Sequence, residues 1–152
     1  MNSYGLIDLH CDTLAEYWKY AHTGNPDTLD DPGRVLSLSN MPKDVHWAQF
    51  YAVFIPDEER GQAAIDYFEK NRANFDRQME KFGDRVAPCR NADDMEKAWA
   101  AGKTAAFLTI ENGSALAGDL SRVHTLAEQG VRAITLTWNG ENELGSGHTT
   151  DH

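Results

Sequence analysis

The chain has 152 residues, a length that a single domain accommodates and that suffices to bury an apolar core. Its residues are 41% hydrophobic and 25% charged, with 12 glycines and 5 prolines scattered along the chain, a composition that argues against disorder. Lys plus Arg total 14 against 24 Asp plus Glu, and the resulting net charge of -10 repels nucleic acid and anionic lipid, so neither is expected as a partner. No apolar run reaches the roughly 18–20 residues needed to cross a bilayer, and Met1-Asn2-Ser3-Tyr4-Gly5 has no leader character, so a cytoplasmic protein without a membrane partner is expected. The two cysteines, Cys11 and Cys89, lack CxxC spacing and are expected as reduced thiols.

Gly5 to Leu9 is a short apolar run containing β-branched Ile7 and ending at the polar cluster His10-Cys11-Asp12-Thr13, which predicts a buried strand with a functional end. From Ala21 to Lys43 the turn formers Gly24-Asn25-Pro26, Asp30-Asp31-Pro32-Gly33 and Met41-Pro42 predict a long surface excursion. Trp47 to Ile55, aromatic and β-branched and closed by Pro56, reads as a second central strand. Asp57 to Phe82 places apolar residues near a 3.6-residue period and predicts a long amphipathic helix stopped at Gly83. Glu58-Glu59-Arg60 would be its solvated first turn.

A weak strand is expected at Val86 to Cys89, followed by a helix capped by Asn91 that runs to Ala101 and stops at Gly102. Thr104 to Ile110 is a continuous apolar strand ending at Glu111-Asn112-Gly113. Leu116 to Gln129 reads as a helix, Val131 to Trp138 as another strand, and Asn139 to His152 as a polar, glycine-rich loop. Apolar strands separated by amphipathic helices are the pattern of a parallel sheet covered on both sides, so the fold class is α/β, a single domain over residues 1–152.

Ligands of such sheets sit at the carboxyl ends of the strands, where His10/Asp12, Glu111/Asn112 and Asn139/Glu141 fall. His10 and Asp12 at i and i+2 on a strand point to one face, so an imidazole nitrogen and a carboxylate oxygen can converge on a cation. Read alone, the pair is better described as a His and an Asp hydrogen-bonded at a strand end, and Glu111 alone as a capping or ion-paired glutamate.

Leu6-Ile7-Asp8-Leu9-His10-Cys11-Asp12-Thr13-Leu14 resembles the first-strand metal motif of the renal-type (membrane) dipeptidase family. Leu108-Thr109-Ile110-Glu111-Asn112-Gly113 is similar to its bridging-glutamate segment, and Gly130 to Asn139 to its following strand. The resemblance implies the N-terminal half of a (β/α)8 TIM-barrel metallohydrolase, whose complete fold takes about 250 residues. It implies that His10 and Asp12 bind one zinc and that Glu111 bridges it to a second, two Zn2+ per complete site. A shared hydroxide would then attack the carbonyl of a dipeptide substrate.

The family's carbonyl-polarising histidine matches Trp138 here, which leaves His148 as the substitute candidate and His152 after it. The resemblance further implies two histidine ligands from later strands, supplied by a missing C-terminal half of the barrel or by self-association into a homo-oligomer. His22, His46 and His124 read as surface or packing histidines, and Cys11 as a buried, inert thiol facing away from the ligands. Trp18, Trp47, Trp99 and Trp138 read as core or near-core, with only Trp138 able to face a substrate. The alternatives that stay open are another TIM-barrel amidohydrolase and a catalytically inactive fragment or binding module.

Overall fold

The computed structural model describes residues 4–14 and 27–151; Trp18, His22, His152 and the first part of the expected excursion lie outside them. Among the described residues five parallel strands form one sheet: β1 (Gly5–Cys11), β2 (His46–Phe54), β3 (Val86–Pro88), β4 (Thr104–Glu111) and β5 (Val131–Ile134). The order runs β1-β2-β4, and β3 and β5 share the far side of β4. β3 pairs with Thr104 to Ala106 and β5 with Leu108 to Ile110, end to end along the same edge. Among the described residues the α-helices are α1 (Gln62–Lys81), α2 (Ala92–Ala100) and α3 (Arg122–Glu128).

The strands form where the apolar runs predict them, but β1 is an edge strand and is largely exposed instead of buried, and the two sheet faces are covered differently. Tyr51, Val53 and Ile55 of the β2 segment and Ala106, Leu108 and Ile110 of β4 lie in one core with Ala64, Phe68, Phe75 and Met79 of α1 and Leu126 of α3. Fully burying one large apolar side chain contributes about 1.5–3 kcal/mol, so this layer is the main source of cohesion. The other face carries Ala48, Ala105 and Phe107, whose two alanines leave room for α2 to pack close through Ala98, with Met95 and Trp99 beside it. Trp99 lies across the starts of β1 and β2: its Nε1 donates to Trp47 O at 2.9 Å, and its ring centroid is 5.6 Å from that of His46. The carboxyl end of this face has no helix over it among the described residues.

Several boundaries differ from those read in the sequence. α1 begins at Gln62 instead of Asp57, because Gly61 takes φ +54 and the side chains of Asp57 and Arg60 are engaged elsewhere. Arg60 is therefore not part of a solvated helical turn. The expected helix from Leu116 is a 3-10 turn at Gly113–Leu116, a break at Ala117 (φ 50) and Gly118 (φ 74), and only then α3. α2 does start as expected, with the Asn91 side chain accepting from Asp94 N at 2.8 Å. β5 ends at Ile134, although Thr135 N still donates to Ile110 O and Gly113 N to Leu136 O.

The excursion, in its described part, is not a surface feature throughout. Thr28, Leu29 and Ser37 are buried, and Leu29 N donates to Gln78 Oε1 of α1 at 2.7 Å. Gln78 also donates to Asn74 Oδ1 at 3.0 Å, and Asn74 to Leu14 O at 3.2 Å. Arg85 grips Asp30 with both terminal nitrogens at 2.9 and 2.8 Å, and Lys81 and Arg77 pair with Asp27. Thr13, just beyond β1, donates to Leu36 O at 2.7 Å, so the excursion steadies the end of the first strand.

Candidate metal centre

The end of β1 is shaped by an irregularity. Ile7 pairs with Ala48 and Asp8 with Gln49, but Cys11 pairs with Tyr51, so one extra residue sits between Asp8 and Cys11. Because side chains alternate along a strand, this bulge changes which face the following residues occupy. Cys11 joins the Tyr51 face and packs against the core there, and burial pushes its thiol up to about 11. His10 and Asp12 are turned to the opposite face. Glu111, the last residue of β4, pairs in register with Phe54 and lies on that same face.

The three side chains meet. His10 Nε2 is 3.5 Å from Asp12 Oδ1 and 3.5 Å from Glu111 Oε2, and one donor atom from each residue lies within 4.8 Å of the others. Two ligands at zinc-like distances of about 2.1 Å in a tetrahedral arrangement are about 3.4 Å apart, so these spacings fit a shared cation. The donor set, one imidazole nitrogen and two carboxylates, also suits zinc. Burial pushes the Glu111 carboxyl above its ordinary range, with His10 opposing the shift and Asp12 adding to it. A cation at this position would offset that penalty.

Directly behind Glu111 lies a buried polar hub. Asn112 is wholly buried with φ 74, and its Nδ2 donates to Ile55 O at 2.8 Å and to Asp57 Oδ1 at 3.2 Å. Its Oδ1 accepts from Ser114 Oγ at 2.9 Å and from Asn142 Nδ2 at 2.8 Å. Asp57 accepts from Gly140 N at 2.8 Å, and Arg60 donates to Ser114 Oγ at 2.9 Å and also to Glu141 O. The loop after β5 is thereby pinned to the carboxyl ends of β2 and β4. Gly113 and Gly140 permit this closeness: a Cβ on Gly140 would lie 2.9 Å from Asp57 Cγ, and one on Gly113 3.0 Å from Leu136 O.

Phe54, beside Glu111 in register, meets Trp138 edge-on, with ring centroids 4.7 Å apart, and Trp138 is exposed. His148 is exposed in the loop and is not a member of the His10, Asp12 and Glu111 cluster. His46 packs on Trp99 and His124 is exposed on α3, both away from the cluster. Nothing local in the sequence marks Asp57, Asn112, Ser114 and Asn142 as a unit. The available signals were Pro56-Asp57 after an apolar strand and the turn-forming pair Asn112-Gly113 after another.

The chain matches the family described as Membrane dipeptidase (Peptidase family M19) over residues 1–152. Among solved structures it is similar to a metallo peptidase from Rhodobacter sphaeroides, liganded with a phosphinate mimic of the dipeptide L-Ala-D-Ala. That likeness has a TM-score of 0.76 at 17% identity, over 93% of this chain and 47% of that one. A metallo peptidase called dipeptidase AC gives a TM-score of 0.76 at 19% identity, over 93% of this chain and 45% of that one. A probable dipeptidase, PvdM, from Pseudomonas aeruginosa gives 0.71 at 20% identity, over 90% and 35%. The chain spans less than half the length of each of these proteins.

Proposed function

We propose that this chain, which belongs to the membrane dipeptidase family, contributes one side of a metal centre that hydrolyses dipeptides. His10 and Asp12 would hold one zinc ion and Glu111 would bridge it to a second. The remaining ligands would come from a completing segment of the barrel or from a second copy of the chain. The observation that carries this reading is the convergence of three donor atoms within 4.8 Å at the carboxyl ends of β1 and β4.

When bound, zinc supplies Lewis-acid polarisation of a carbonyl and a water acidic enough to act as a nucleophile near neutral pH. The chain's own residues set the stage for that chemistry. The bulge in β1 aims His10 and Asp12 at the open end of the sheet face, while Cys11 packs against the core on the other. Phe54 and Trp138 offer an apolar wall beside Glu111 against which a dipeptide side chain can rest. His148 is proposed as the group that polarises the substrate carbonyl from the loop. Cys11 and Cys89 are both free thiols, which supports a reducing, cytoplasmic setting, and no helix among the described residues is long and apolar enough to cross a membrane.

Elemental analysis of mass-verified protein tests the reading, with wild type compared with Glu111→Ala and with dipeptide and cyclic-amide turnover measured alongside for wild type and His148→Ala. Zinc in the wild type that disappears with Glu111→Ala, together with cleavage of dipeptides and not of cyclic amides, is the expected result. Equal zinc in the two proteins would sink the assignment of Glu111 as a ligand.

A further inference from the structure

We propose that Asn112 is the positioning residue of this metal centre, holding the Glu111 carboxylate in place through the buried hub behind it; the inference rests on the metal-site reading above. Asn112 has a left-handed φ of 74 that L residues rarely adopt, and it is 0% exposed. Such a backbone persists only where its surroundings over-determine it, and residues of this kind gather at functional sites. Here the over-determination is explicit. Both amide donors of Asn112 are used, on Ile55 O and Asp57 Oδ1, and its carbonyl oxygen accepts from Ser114 N, Ser114 Oγ and Asn142 Nδ2. Its backbone N–H donates to Thr135 Oγ1 at 2.8 Å.

Four segments therefore converge on the residue next to Glu111: the end of β2, the 3-10 turn, the end of β5 and the loop after it. Glycine tolerates a positive φ more readily than asparagine, so the asparagine side chain earns its place by what it bonds. Tied on every side, the peptide that follows Glu111 cannot rotate. The carboxylate is thus presented to His10 Nε2 at 3.5 Å by a rigid support. Groups that hydrogen-bond a metal ligand typically change affinity by about 10- to 100-fold when removed, and a change of that order is expected from a support that fixes the ligand's backbone.

The test uses the full chain and Asn112→Gly, which keeps the φ accessible and deletes the hub. Zn2+ affinity is measured by competition with a chromophoric chelator, coordination geometry by the visible spectrum of the Co2+-loaded protein, and the fold by near-ultraviolet circular dichroism. The expected result is a folded variant that binds Zn2+ about 10- to 100-fold more weakly, with an altered Co2+ spectrum. A folded Asn112→Gly with wild-type Zn2+ affinity and an unchanged Co2+ spectrum overturns the proposal. Should that variant fail to fold, Asn142→Ala, which removes one arm of the hub, decides it: weakened Zn2+ binding supports the proposal and unchanged binding overturns it. A wild type that binds no Zn2+ overturns the metal-site reading itself and this inference with it, an outcome distinct from loss of the Asn112 effect alone.

Discussion

Replacing Glu111 by Gln keeps the shape of the side chain and removes its charge, and the structure sets two opposite consequences for stability. Without metal, burial raises the Glu111 carboxyl above its ordinary range. The folded protein thus holds a proton there that the unfolded chain, with an ordinary value near 4.3, has already released. Ionised Glu111 therefore costs stability, a cost absent below about pH 4.3 and complete once pH exceeds the raised folded value. Metal-free Glu111→Gln is expected to melt above metal-free wild type at pH 7, and the gap is expected to close as pH falls towards 4. With zinc the order reverses. A single site at a free zinc concentration 100 times Kd stabilises the folded state by about 2.7 kcal/mol. For a chain of 152 residues, at about 2–4 °C per kcal/mol, that is roughly 5–11 °C in Tm. The variant, which lacks the charge that completes the donor set, should shift far less. Differential scanning calorimetry of both proteins, with chelator and with zinc, measures all four values. Equal zinc-induced shifts would refute the reasoning, as would a metal-free variant that melts below wild type.

Two further substitutions probe the scaffold around the site. Gln78→Leu leaves Leu29 N buried without its 2.7 Å acceptor and is expected to destabilise by about 1–3 kcal/mol in urea unfolding, with an unchanged m value. An unchanged midpoint would mean that the excursion is held by other contacts. Asp30→Asn removes the bidentate pair with Arg85, whose hydrogen bonds hold the Asp30 carboxyl below its ordinary range against the opposing effect of burial. The guanidinium side is 41% exposed, so solvent screening limits the loss to about 1 kcal/mol or less. The contribution of Asp30 is present above the ordinary carboxylate value near 3.9 and fades as pH falls through the lower folded value. The difference between the two proteins should therefore be seen at pH 7 and shrink as pH falls below about 4 in a melting series; a difference that stays constant there would contradict the ion-pair account.

The features legible in the sequence are those with a local cause. Trp47 to Ile55 reads as a strand because β-branched and aromatic residues run unbroken to Pro56, and β2 occupies nearly the same span. Asn91 reads as a cap because its side chain needs to reach only three residues along, to Asp94 N. The convergence of His10, Asp12 and Glu111 is foreseeable because each ends an apolar strand of a parallel sheet, which brings such ends to one side. What stayed hidden depends on partners far along the chain. Asp57 and Arg60 carry no local sign that they bond to Gly140, Ser114 and Glu141 in place of opening a helix. Leu29 looks like loop until Gln78 is known to receive its N–H. Alternation alone would put His10 on the face of Asp8; the bulge that moves it has no marker in Leu9 or its neighbours. Likewise, nothing in Val86 to Pro88 announces that β3 and β5 divide one edge of β4 between them.

The placement of Trp99 bears on traffic through the site. With its indole laid across the first residues of β1 and β2, and with α2 behind it, the amino end of the sheet face that carries the ligands is stoppered. His10, Asp12 and Glu111 stand at the opposite, carboxyl end, where the side chains of His10 and Asp12 are exposed, so a small molecule meets them away from that plug. The loop that Asn112 and Asn142 pin runs beside that end, so the grip of the hub also fixes which side chains border the ligands.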